Sequence, residues 1–550
     1  MPTITLNKKE FEKLVGKELP LDELKDRISM LGTDLEGIEG NEIEVEVFPN
    51  RPDMLSEQGF ARAFSSFIGQ KTGLRNYDVV PSENVVAVDG SVAGVRPYTV
   101  CAIIKGLSLD DEKIREIVQV QEKLHVTHCR KRKKGAIGIY PMESITFPIT
   151  YCAKAPSDIR FRPLEEDREM SAEELLLENP TGQEYGHLLE GLDAYPLFID
   201  ATGAILSMPP IINAHRTGKV TEDTTEVFIE CSGFDRELLE HCLNILVTAF
   251  ADMGGSIHSV TLEYPDGKRT TPDLTPATMP LDTAYINKRL GLQLTYDEVS
   301  EYLRRMGYDV DDGTVHIPAY RTDIMHPVDL VEDVAIAYGY ENFEPELPEK
   351  GTVAQEAPFS KFKAIVADIL IGRKLLEVNT FHLTNAKLQR EYMNNPSQPV
   401  IRLQNALSHE FDTLRSWVLP SVLEVLSENK HNEFPQNIFC MGSAFMADSS
   451  KETGIKEPER LVVSLCGENA TFTSIMQELD YLLRMLGSTY EVIEAEHPSF
   501  IPGRVGRIKV GEKKVAYIGE VHPQVLSNWK IEQPVAAFEL NLTDLFALRG

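Results

Sequence analysis

The sequence predicts an α+β protein built from several domains. Its 550 residues are enough for about three to five domains of ordinary size. Segments with helical periodicity alternate with short runs of β-branched and apolar residues, which indicates both helix and sheet. Two stretches rich in Pro, Thr and acidic residues, 265–278 and 345–358, interrupt this pattern and predict linkers. The domains expected from these boundaries are residues 1–85, 88–268, 275–345 and 355–550.

The first and third domains are predicted to be small α+β units. Asn7 followed by Glu10 predicts a capped helix start, and LDELKDRISMLG (21–32) has apolar residues at helical spacing before a closing Gly. A similar helix, YDEVSEYLRRMG (296–307), follows a capping Thr295 in the third domain. The shared pattern indicates a common fold, although two amphipathic helices can also resemble each other by chance.

The two larger domains differ in their predicted sheets. The 88–268 region holds the strand-like segments YTVCAIIKGL, GAIGIY, YPLFID and TEVFIEC and a long apolar helix near 236–253, which predicts a mixed α/β domain. The 355–550 region alternates the helices SKFKAIVADIL and FTSIMQELDYLLRMLG with the strands ERLVVSLCG, GRIKV, KVAYIGEV and VAAFELNL. This order predicts a largely antiparallel sheet with helices.

Composition narrows the classes of function. With 55 Lys and Arg against 85 Asp and Glu, the net charge is −30, so the chain as a whole lacks the basic surface of a nucleic-acid binder. It has no apolar run of the ~18 residues that a membrane span needs, and its start lacks a signal-peptide core. Seven scattered cysteines without a C-x-x-C pair indicate reduced thiols and a cytoplasmic protein. The phosphate loop G-x-x-x-x-G-K-[ST], the G-x-S-x-G elbow and H-E-x-x-H are all absent.

Acidic residues in RTDIMHPVDLVEDVAIAYGY (321–340) predict a metal site. Asp329, Glu332 and Asp333 share one helical face, and Asp323 lies just upstream. Converging carboxylates need a cation between them, and oxygen ligands without His or Cys favour Mg²⁺ or Ca²⁺. The alternative is a solvated acidic face near a helix N-terminus, where the helix dipole favours acids.

A second candidate site combines YPLFIDATGAILSMPPIIN (195–213) with TTEVFIECSGFD (224–235). Phe198 precedes a turn, and Ser207 precedes a double proline that fixes the backbone. Glu230 and Ser232, two residues apart in a strand, point to one face. Such groups on apolar β-structure suit recognition of a polar small molecule, but edge-strand residues facing water would look the same.

A basic run stands out in the acidic chain. CRKRKKGAIG (129–138) contains five consecutive cations that could contact a phosphate backbone, and a plain surface turn is an equal alternative. The five residues are Arg130, Lys131, Arg132, Lys133 and Lys134.

Several ordered blocks together resemble the β-subunit family of phenylalanyl-tRNA synthetases in its short, archaeal/eukaryal-type form. The resemblance covers essentially the whole chain. The blocks are VFPNRPDM (47–54), QEKLHVTHCRKRKKGAIG (121–138), LSMPPIIN (206–213), FIECSGFD (228–235), the acidic 321–340 segment, NALSHEFDTLRSWVLP (405–420), GEVHP (519–523) and AFELNL (537–542).

The resemblance implies an (αβ)₂ heterotetramer that attaches phenylalanine to tRNA(Phe) with ATP. In this family the α subunit binds ATP and phenylalanine in a class II catalytic core. Residues 355–550 are then expected to form a class II synthetase-like antiparallel sheet with helices that lacks the catalytic motifs, and the two small domains resemble DNA-binding-type folds. The acidic residues match the family's magnesium site at Asp323, Asp329, Glu332 and Asp333.

The resemblance also implies that 88–268 is an editing domain, which hydrolyses tyrosine mistakenly attached to tRNA(Phe). Glu230 is the expected reader of the tyrosine phenol, Ser207 and Ser232 its hydrogen-bonding or water-positioning neighbours, and Phe198 a pocket wall. Two other classes stay open, a free-standing trans-editing hydrolase and a non-enzymatic nucleic-acid-binding scaffold. The long C-terminal domain argues against the first, whereas the basic run and the repeated helix favour the second.

Overall fold

The computed structural model describes residues 2–347, 351 and 353–549. The chain divides into two compact units, residues 1–346 and 347–550. Within the described residues, no helix combines the length and the apolar character needed to cross a membrane. The predicted linker at 345–358 includes residues 348–350 and 352, which lie outside the described residues.

The chain begins with a three-stranded antiparallel sheet in the order β1-β3-β2. As predicted, Asn7 caps the first helix, because its side chain accepts hydrogen bonds from the N–H groups of Lys9 and Glu10. The elements are β1 (Thr3–Asn7), α1 (Lys8–Val15), α2 (Leu21–Met30), β2 (Asp34–Glu39), β3 (Glu42–Glu46) and α3 (Glu57–Phe67).

An eleven-stranded mixed sheet follows, and it forms the larger part of the first unit. Its strands are β4 (Val79–Val80), β5 (Val85–Val88), β6 (Tyr98–Lys105), β7 (Gly135–Pro141), β8 (Ile149–Lys154), β11 (Tyr195–Ile199), β12 (Ile205–Met208), β13 (Ile212–Asn213), β14 (Glu226–Gly233), β15 (Ser256–Tyr264) and β16 (Gly267–Thr271). A separate pair consists of β9 (Arg160–Phe161) and β10 (Met170–Ser171). The helices are α4 (Asp111–Val126), α5 (Ala172–Glu178), α6 (Pro180–Tyr185), α7 (His215–Gly218) and α8 (Arg236–Asp252).

The order β13-β12-β11-β8-β5-β15-β6-β14-β7 places β7 at one end of this sheet and β13 at the other. The sheet is curved so that its two ends lie close together. A hydrogen bond of 2.7 Å, which Tyr140 on β7 donates to Ser207 on β12, joins them. The strand β14 alternates between two cores, as period-2 geometry requires. Val227 and Ile229 pack with the apolar side of α8, while Phe228 packs in a separate core on the opposite face.

The predicted linker at 265–278 is wrong over its first half. Residues Gly267–Thr271 form β16 and pair antiparallel with β15, from Val260 opposite Thr271 to Tyr264 opposite Gly267. The sequence Pro265-Asp266-Gly267 explains the difference, since Pro-Asp-Gly between two strand-like segments is a turn signal, and Pro265 and Asp266 form the two-residue loop. Reading Pro and Thr as linker residues overlooked that signal.

A second small sheet repeats the first. Its order is β17-β19-β18, and both sheets follow the chain order strand, two helices, two strands, with the last strand in the middle. The predicted capping box of Thr295 and Glu298 is present at the second of its helices. The elements are β17 (Ala277–Pro280), α9 (Thr283–Leu290), α10 (Tyr296–Arg305), β18 (Asp309–Asp311), β19 (Thr314–Ile317) and α11 (Pro327–Tyr338).

The second unit is built on a seven-stranded sheet in the order β20-β24-β27-β31-β30-β29-β28. All neighbours in it are antiparallel except β20 and β24, as the alternating segments predicted. Its helices are α12 (Pro358–Gly372), α13 (Ala386–Arg390), α14 (Leu419–Glu428), α15 (Phe472–Met485), α16 (Pro523–Trp529) and α17 (Leu542–Ala547). Its strands are β20 (Leu376–Glu377), β21 (Leu383–Thr384), β22 (Ile401–Arg402), β23 (Thr413–Leu414), β24 (Gln436–Ser443), β25 (Met446–Ala447), β26 (Ile455–Lys456), β27 (Glu459–Cys466), β28 (Glu491–Glu494), β29 (Phe500–Val510), β30 (Lys513–Val521) and β31 (Val535–Asn541).

Candidate functional sites

A cavity of about 700 Å³ lies where the two ends of the large sheet meet. It is bordered by α4, by the edge strand β7, by the β12–β13 turn and by Glu230 on β14. Its size falls within the range of about 300–1,000 Å³ that is usual for small-molecule sites. Of the four residues predicted for a polar ligand site, Ser207 and Glu230 line this cavity.

Glu230 is a buried carboxyl group that is only partly hydrogen-bonded. Its side chain is 1% exposed. Its Oε1 lies 3.1 Å from the Tyr140 hydroxyl, whereas its Oε2 is buried without a hydrogen-bond partner among the described residues. A buried polar atom without a partner costs free energy, so an unpaired oxygen beside a cavity indicates a place where a ligand can supply the missing hydrogen bond.

Burial also changes the protonation of Glu230. Burial raises the pKa of Glu230 to about 8, although the Tyr140 hydrogen bond and the Arg96 charge act to lower it. The carboxyl group is therefore mostly neutral at pH 7. A neutral carboxyl group can both donate and accept a hydrogen bond.

Tyr140 connects the groups on the cavity floor. Its hydroxyl lies 2.7 Å from Ser207 Oγ, 3.1 Å from Glu230 Oε1 and 3.4 Å from Asn213 Oδ1. Burial raises the pKa of Tyr140 well above its usual value, so the phenol keeps its proton. Tyr140 thereby orients both Ser207 and Glu230.

Gly138 allows Tyr140 and Glu230 to approach each other. It pairs with Glu230 across β7 and β14. A Cβ at this position would lie 2.2 Å from the Tyr140 hydroxyl oxygen and 2.6 Å from Glu230 Oε1. Only glycine fits this close approach, so the Gly in the GAIGIY strand serves the site.

Arg132 holds the cavity wall next to Ser207. Its Nη1 donates to the Ile211 carbonyl at 2.8 Å and its Nη2 to Glu122 at 2.9 Å. Its guanidinium also lies 4.4 Å from the centre of the Tyr185 ring. The sequence offers Arg132 as a possible tRNA contact, which stays a prediction; in the structure its side chain fixes the turn that follows Ser207.

The basic run, Arg132 included, forms an unusual turn. Arg130, Lys131 and Arg132 have φ of 49°, 53° and 61°, so three successive residues adopt the left-handed conformation. Arg130, Lys131 and Lys133 are exposed, and Lys134 is half-buried. The turn therefore presents three cations to solvent on an acidic protein.

The remaining two residues predicted for the ligand site do not line the cavity. Phe198 lies opposite Ser207 in the strand register, but its buried ring stacks on Tyr151 with centroids 4.4 Å apart. Ser232 points to the same sheet face as Glu230, and Arg96 donates to its carbonyl oxygen at 2.6 Å. Phe198 thus supports the sheet behind the site, whereas Ser232 lies near Glu230 and acts to lower the pKa of that carboxyl group.

Sequence reasoning missed Tyr140, Gly138 and Asn213. Tyr140 and Asn213 are separated from Glu230 by long stretches of chain, so no local pattern joins them. The glycine inside the GAIGIY strand was the one available signal, because a strand glycine marks close backbone or side-chain approach.

The predicted metal ligands have protein partners. Arg321 forms paired hydrogen bonds of 2.8 Å with Asp323 and a third of 2.8 Å with Asp333. Asp329 accepts hydrogen bonds from the backbone N–H groups of Met325 and His326 at the start of α11. The fourth acid, Glu332, is exposed and accepts from the Tyr340 hydroxyl at 3.0 Å.

These four acids suit Mg²⁺ in donor chemistry but not in arrangement. Their oxygens are hard ligands. No three of the four bring a carboxylate oxygen within 4.8 Å of one another within the described residues. Burial acts to raise the pKa of Asp323, but the Arg321 charge and hydrogen bonds outweigh it and lower the pKa. The cation that joins Asp323 and Asp333 here is therefore Arg321.

Two family models match the chain. The model described as "tRNA synthetase B5 domain" matches residues 279–340. The model described as "Phenylalanyl tRNA synthetase beta chain CLM domain" matches residues 344–542.

Whole-length relatives agree with these matches. A phenylalanine–tRNA ligase β subunit from Thermococcus sibiricus is 43% identical, with 99% of each chain covered. One from Pyrococcus abyssi is 42% identical, over 99% of this chain and all of the relative. A crystal structure of an N-terminal fragment of the phenylalanyl-tRNA synthetase β-subunit from Pyrococcus horikoshii is 40% identical and superposes with a TM-score of 0.59. It covers 61% of this chain and 99% of its own. These findings confirm the resemblance drawn from the ordered sequence blocks, and the chain belongs to the phenylalanine–tRNA ligase β-subunit family.

Proposed function

We propose that the protein acts with an α subunit in an (αβ)₂ heterotetramer in the cytoplasm, and that its cavity hydrolyses tyrosine attached to tRNA(Phe). The α subunit binds ATP and phenylalanine and carries out aminoacylation. The observation that carries the editing proposal is Glu230, whose Oε2 is buried beside a cavity of about 700 Å³ without a partner in the part of the chain that the structure describes. The phenol of tyrosine would supply the missing hydrogen bond.

Physical chemistry explains why such a site is needed. A pocket that selects phenylalanine for aminoacylation discriminates against an analogue that merely adds a hydroxyl by a factor of only about 10². A site built to hydrogen-bond that hydroxyl can reject the analogue lacking it by about 10⁴–10⁵, because its polar groups are then left unpaired. Phenylalanine in this cavity would leave Glu230 Oε2 unpaired, so the cavity favours tyrosine.

The reaction is ester hydrolysis. The oxygen of water forms a bond with the tyrosyl carbonyl carbon, the ester C–O bond breaks, and the ribose hydroxyl of the tRNA leaves with a proton. Glu230, held by Tyr140, binds the phenol and positions the amino acid. Tyr140 also holds Ser207, and Arg132 fixes the turn that follows Ser207 at the cavity wall.

Glu230→Ala in the αβ complex tests this function. We expect phenylalanylation of tRNA(Phe) to be unchanged and deacylation of Tyr-tRNA(Phe) to slow by about 10- to 100-fold, because the phenol loses its partner. Glu226→Ala is the matched control, since Glu226 begins the same strand, is half-exposed and pairs with Lys105 at 3.2 Å. Equal deacylation by both variants would refute the editing assignment.

Assays of α binding and of Tyr-tRNA(Phe) hydrolysis by the β chain alone separate the proposal from the alternatives. A β chain that hydrolyses Tyr-tRNA(Phe) without α and does not bind α would be a free-standing editing hydrolase. A chain that binds tRNA but never hydrolyses it would be a scaffold. Family membership supports the heterotetramer, in which residues 355–550 form a class II-like domain without catalytic residues.

Magnesium binding by Asp323, Asp329, Glu332 and Asp333 remains a prediction with a structural role. Asp323 and Asp333 already share Arg321, so Asp329 and Glu332 are the acids that would reach a Mg²⁺ ion. Such an ion would join oxygen ligands and add stability. We expect MgCl₂ to raise the melting temperature of the complex and the paired variant Asp329→Asn with Glu332→Gln to abolish the rise. An identical rise in the variant would overturn the assignment.

A further inference from the structure

A second pocket in the first unit of the chain is lined by arginine side chains. Its free volume of about 10 Å³ is close to the space that one water-sized atom needs. Four arginines line it, together with a single acidic residue, Asp53. The arginines are Arg51, Arg62, Arg75 and Arg321.

Two of these arginines have hydrogen-bond donors without partners. Arg62 Nε and Nη2 and Arg321 Nη1 are buried and unpaired among the described residues. The two residues are only 8% and 6% exposed. Since buried N–H groups almost always have a partner, three unpaired donors that line one small pocket indicate a missing acceptor.

The remaining nitrogens of Arg62 and Arg321 are fixed. Arg62 Nη1 pairs with Asp252 at 2.6 Å, and its guanidinium lies 4.0 Å from the centre of the Tyr320 ring. Arg321 uses its other nitrogens for Asp323 and Asp333. Neither guanidinium can turn its unpaired N–H groups to another acceptor without breaking these contacts, so the donors are preorganised.

The acidic residue of the pocket, Asp53, does not pair with the three free donors in the described structure. Arg51 binds both carboxylate oxygens of Asp53, at 2.9 and 2.8 Å. Arg75 is half-buried at the pocket and donates to the Lys71 carbonyl at 3.0 Å. Four guanidinium groups therefore border a space next to one carboxylate that is already paired.

We propose that this pocket binds an anion through one acceptor atom of water size, which is either a halide ion or a single oxygen of a phosphate group. An anion suits it better than water, because an acceptor-only atom satisfies converging donors, whereas water must also place two protons of its own. The phosphate oxygen could belong to free phosphate or to a tRNA backbone. Only the tRNA source rests on the proposed function.

Bromide is the probe that tests the site directly. Crystals of the αβ complex soaked in NaBr should show an anomalous peak within hydrogen-bonding distance of Arg62 and Arg321. In solution, replacing gluconate by bromide or by phosphate at constant ionic strength should raise the melting temperature of the full chain by about 2–4 °C relative to an Arg75→Gln variant. Arg269→Gln, at an exposed pair with Asp266, should behave as the wild type.

Measurements of tRNA binding identify the source of the anion. If a backbone phosphate enters the pocket, Arg75→Gln weakens tRNA binding several-fold and bromide competes with tRNA. If the ligand is a free ion, tRNA affinity stays unchanged while the bromide peak remains. An ordered water without an anomalous peak, together with equal melting of wild type and Arg75→Gln in all three salts, would overturn the proposal whatever the editing assays show.

Discussion

Glu230 and Asp333 are two buried carboxyl groups that differ in how their oxygens are satisfied. Each contacts a buried tyrosine hydroxyl, Tyr140 for Glu230 and Tyr308 for Asp333. Asp333 also binds the guanidinium of Arg321 at 2.8 Å. Among the residues that the structure describes, Glu230 has no such partner, and its Oε2 is unpaired beside a large cavity.

This difference separates a structural acid from a binding acid. A paired buried charge holds two segments together, and breaking the pair is costly. A buried carboxyl group with one unpaired oxygen retains the free-energy cost of burying that oxygen. A ligand that hydrogen-bonds to the oxygen can offset this cost. The contrast supports our proposal of recognition for Glu230 and cohesion for Asp333, although both lie in segments that match the family.

The largest expected effect comes from removing the cation of the structural cluster. Arg321→Met leaves Asp323 and Asp333 buried without a counter-charge, so we expect a loss of about 3–5 kcal/mol in the free energy of unfolding. Urea denaturation measures it. Arg269→Met removes a similar paired contact with Asp266 at the surface and should cost far less. Equal losses would contradict the structural role of Arg321.

The pH dependence of stability distinguishes Glu230 from a paired acid. Its pKa of about 8 lies above that of an unfolded Glu, so its contribution to stability is complete at low pH and is lost as pH rises through about 8. Wild type should lose about 3 kcal/mol more than Glu230→Gln between pH 5.5 and 8.5. Parallel curves from denaturation at several pH values would show that Glu230 is not neutral in the folded protein.

A methyl group at Gly138 should disturb Glu230 and Tyr140 while leaving both residues unsubstituted. Gly138→Ala places a Cβ against the Tyr140 hydroxyl, so we expect about 1–3 kcal/mol of destabilisation and slower deacylation of Tyr-tRNA(Phe). Gly94→Ala in the same domain meets open space and is the control. The proposed role of the cavity floor fails if the two variants deacylate equally fast.

The smallest expected effect concerns the exposed turn near the cavity. Replacing Arg130, Lys131 and Lys133 by Ala should lower the slope of log affinity for tRNA against log salt by about 0.7–0.9 for each phosphate that the turn no longer neutralises. Phenylalanylation with saturating tRNA should not change. Salt titrations with an unaltered slope would mean that the turn does not bind tRNA.

Local signals made much of the fold predictable. The Asn7 cap, the Thr295–Glu298 capping box and the alternating strand around Glu230 all depend on neighbours in sequence, and the structure contains each of them. The hairpin before Gly267 was not predicted, because Pro, Asp and Gly are common in linkers as well as in the tight turn that they form here.

The candidate sites were less predictable because they join distant segments. Glu230 and Ser207 were identified from their strands, but Tyr140 meets them only when the two ends of the sheet curl together. Asp329, Glu332 and Asp333 do follow helical spacing, with Asp323 upstream of the helix. Spacing could not show that Arg321, two residues before Asp323, would lie between Asp323 and Asp333. The contacts of Tyr140 and of Arg321 both depend on the direction of side chains in the folded protein, which the spacing of residues along the chain does not give.

The most direct test of the central claim is the selectivity of editing. The measurement is the ratio of deacylation rates for Tyr-tRNA(Phe) and Phe-tRNA(Phe) by the αβ complex, in wild type, Glu230→Gln and Glu230→Met. Gln keeps polar atoms where Glu230 Oε2 lies, and Met of similar length does not. We predict that Gln retains most of the preference for tyrosine and that Met lowers it at least ~10-fold. A Met variant with the wild-type ratio would contradict recognition of the phenol by Glu230.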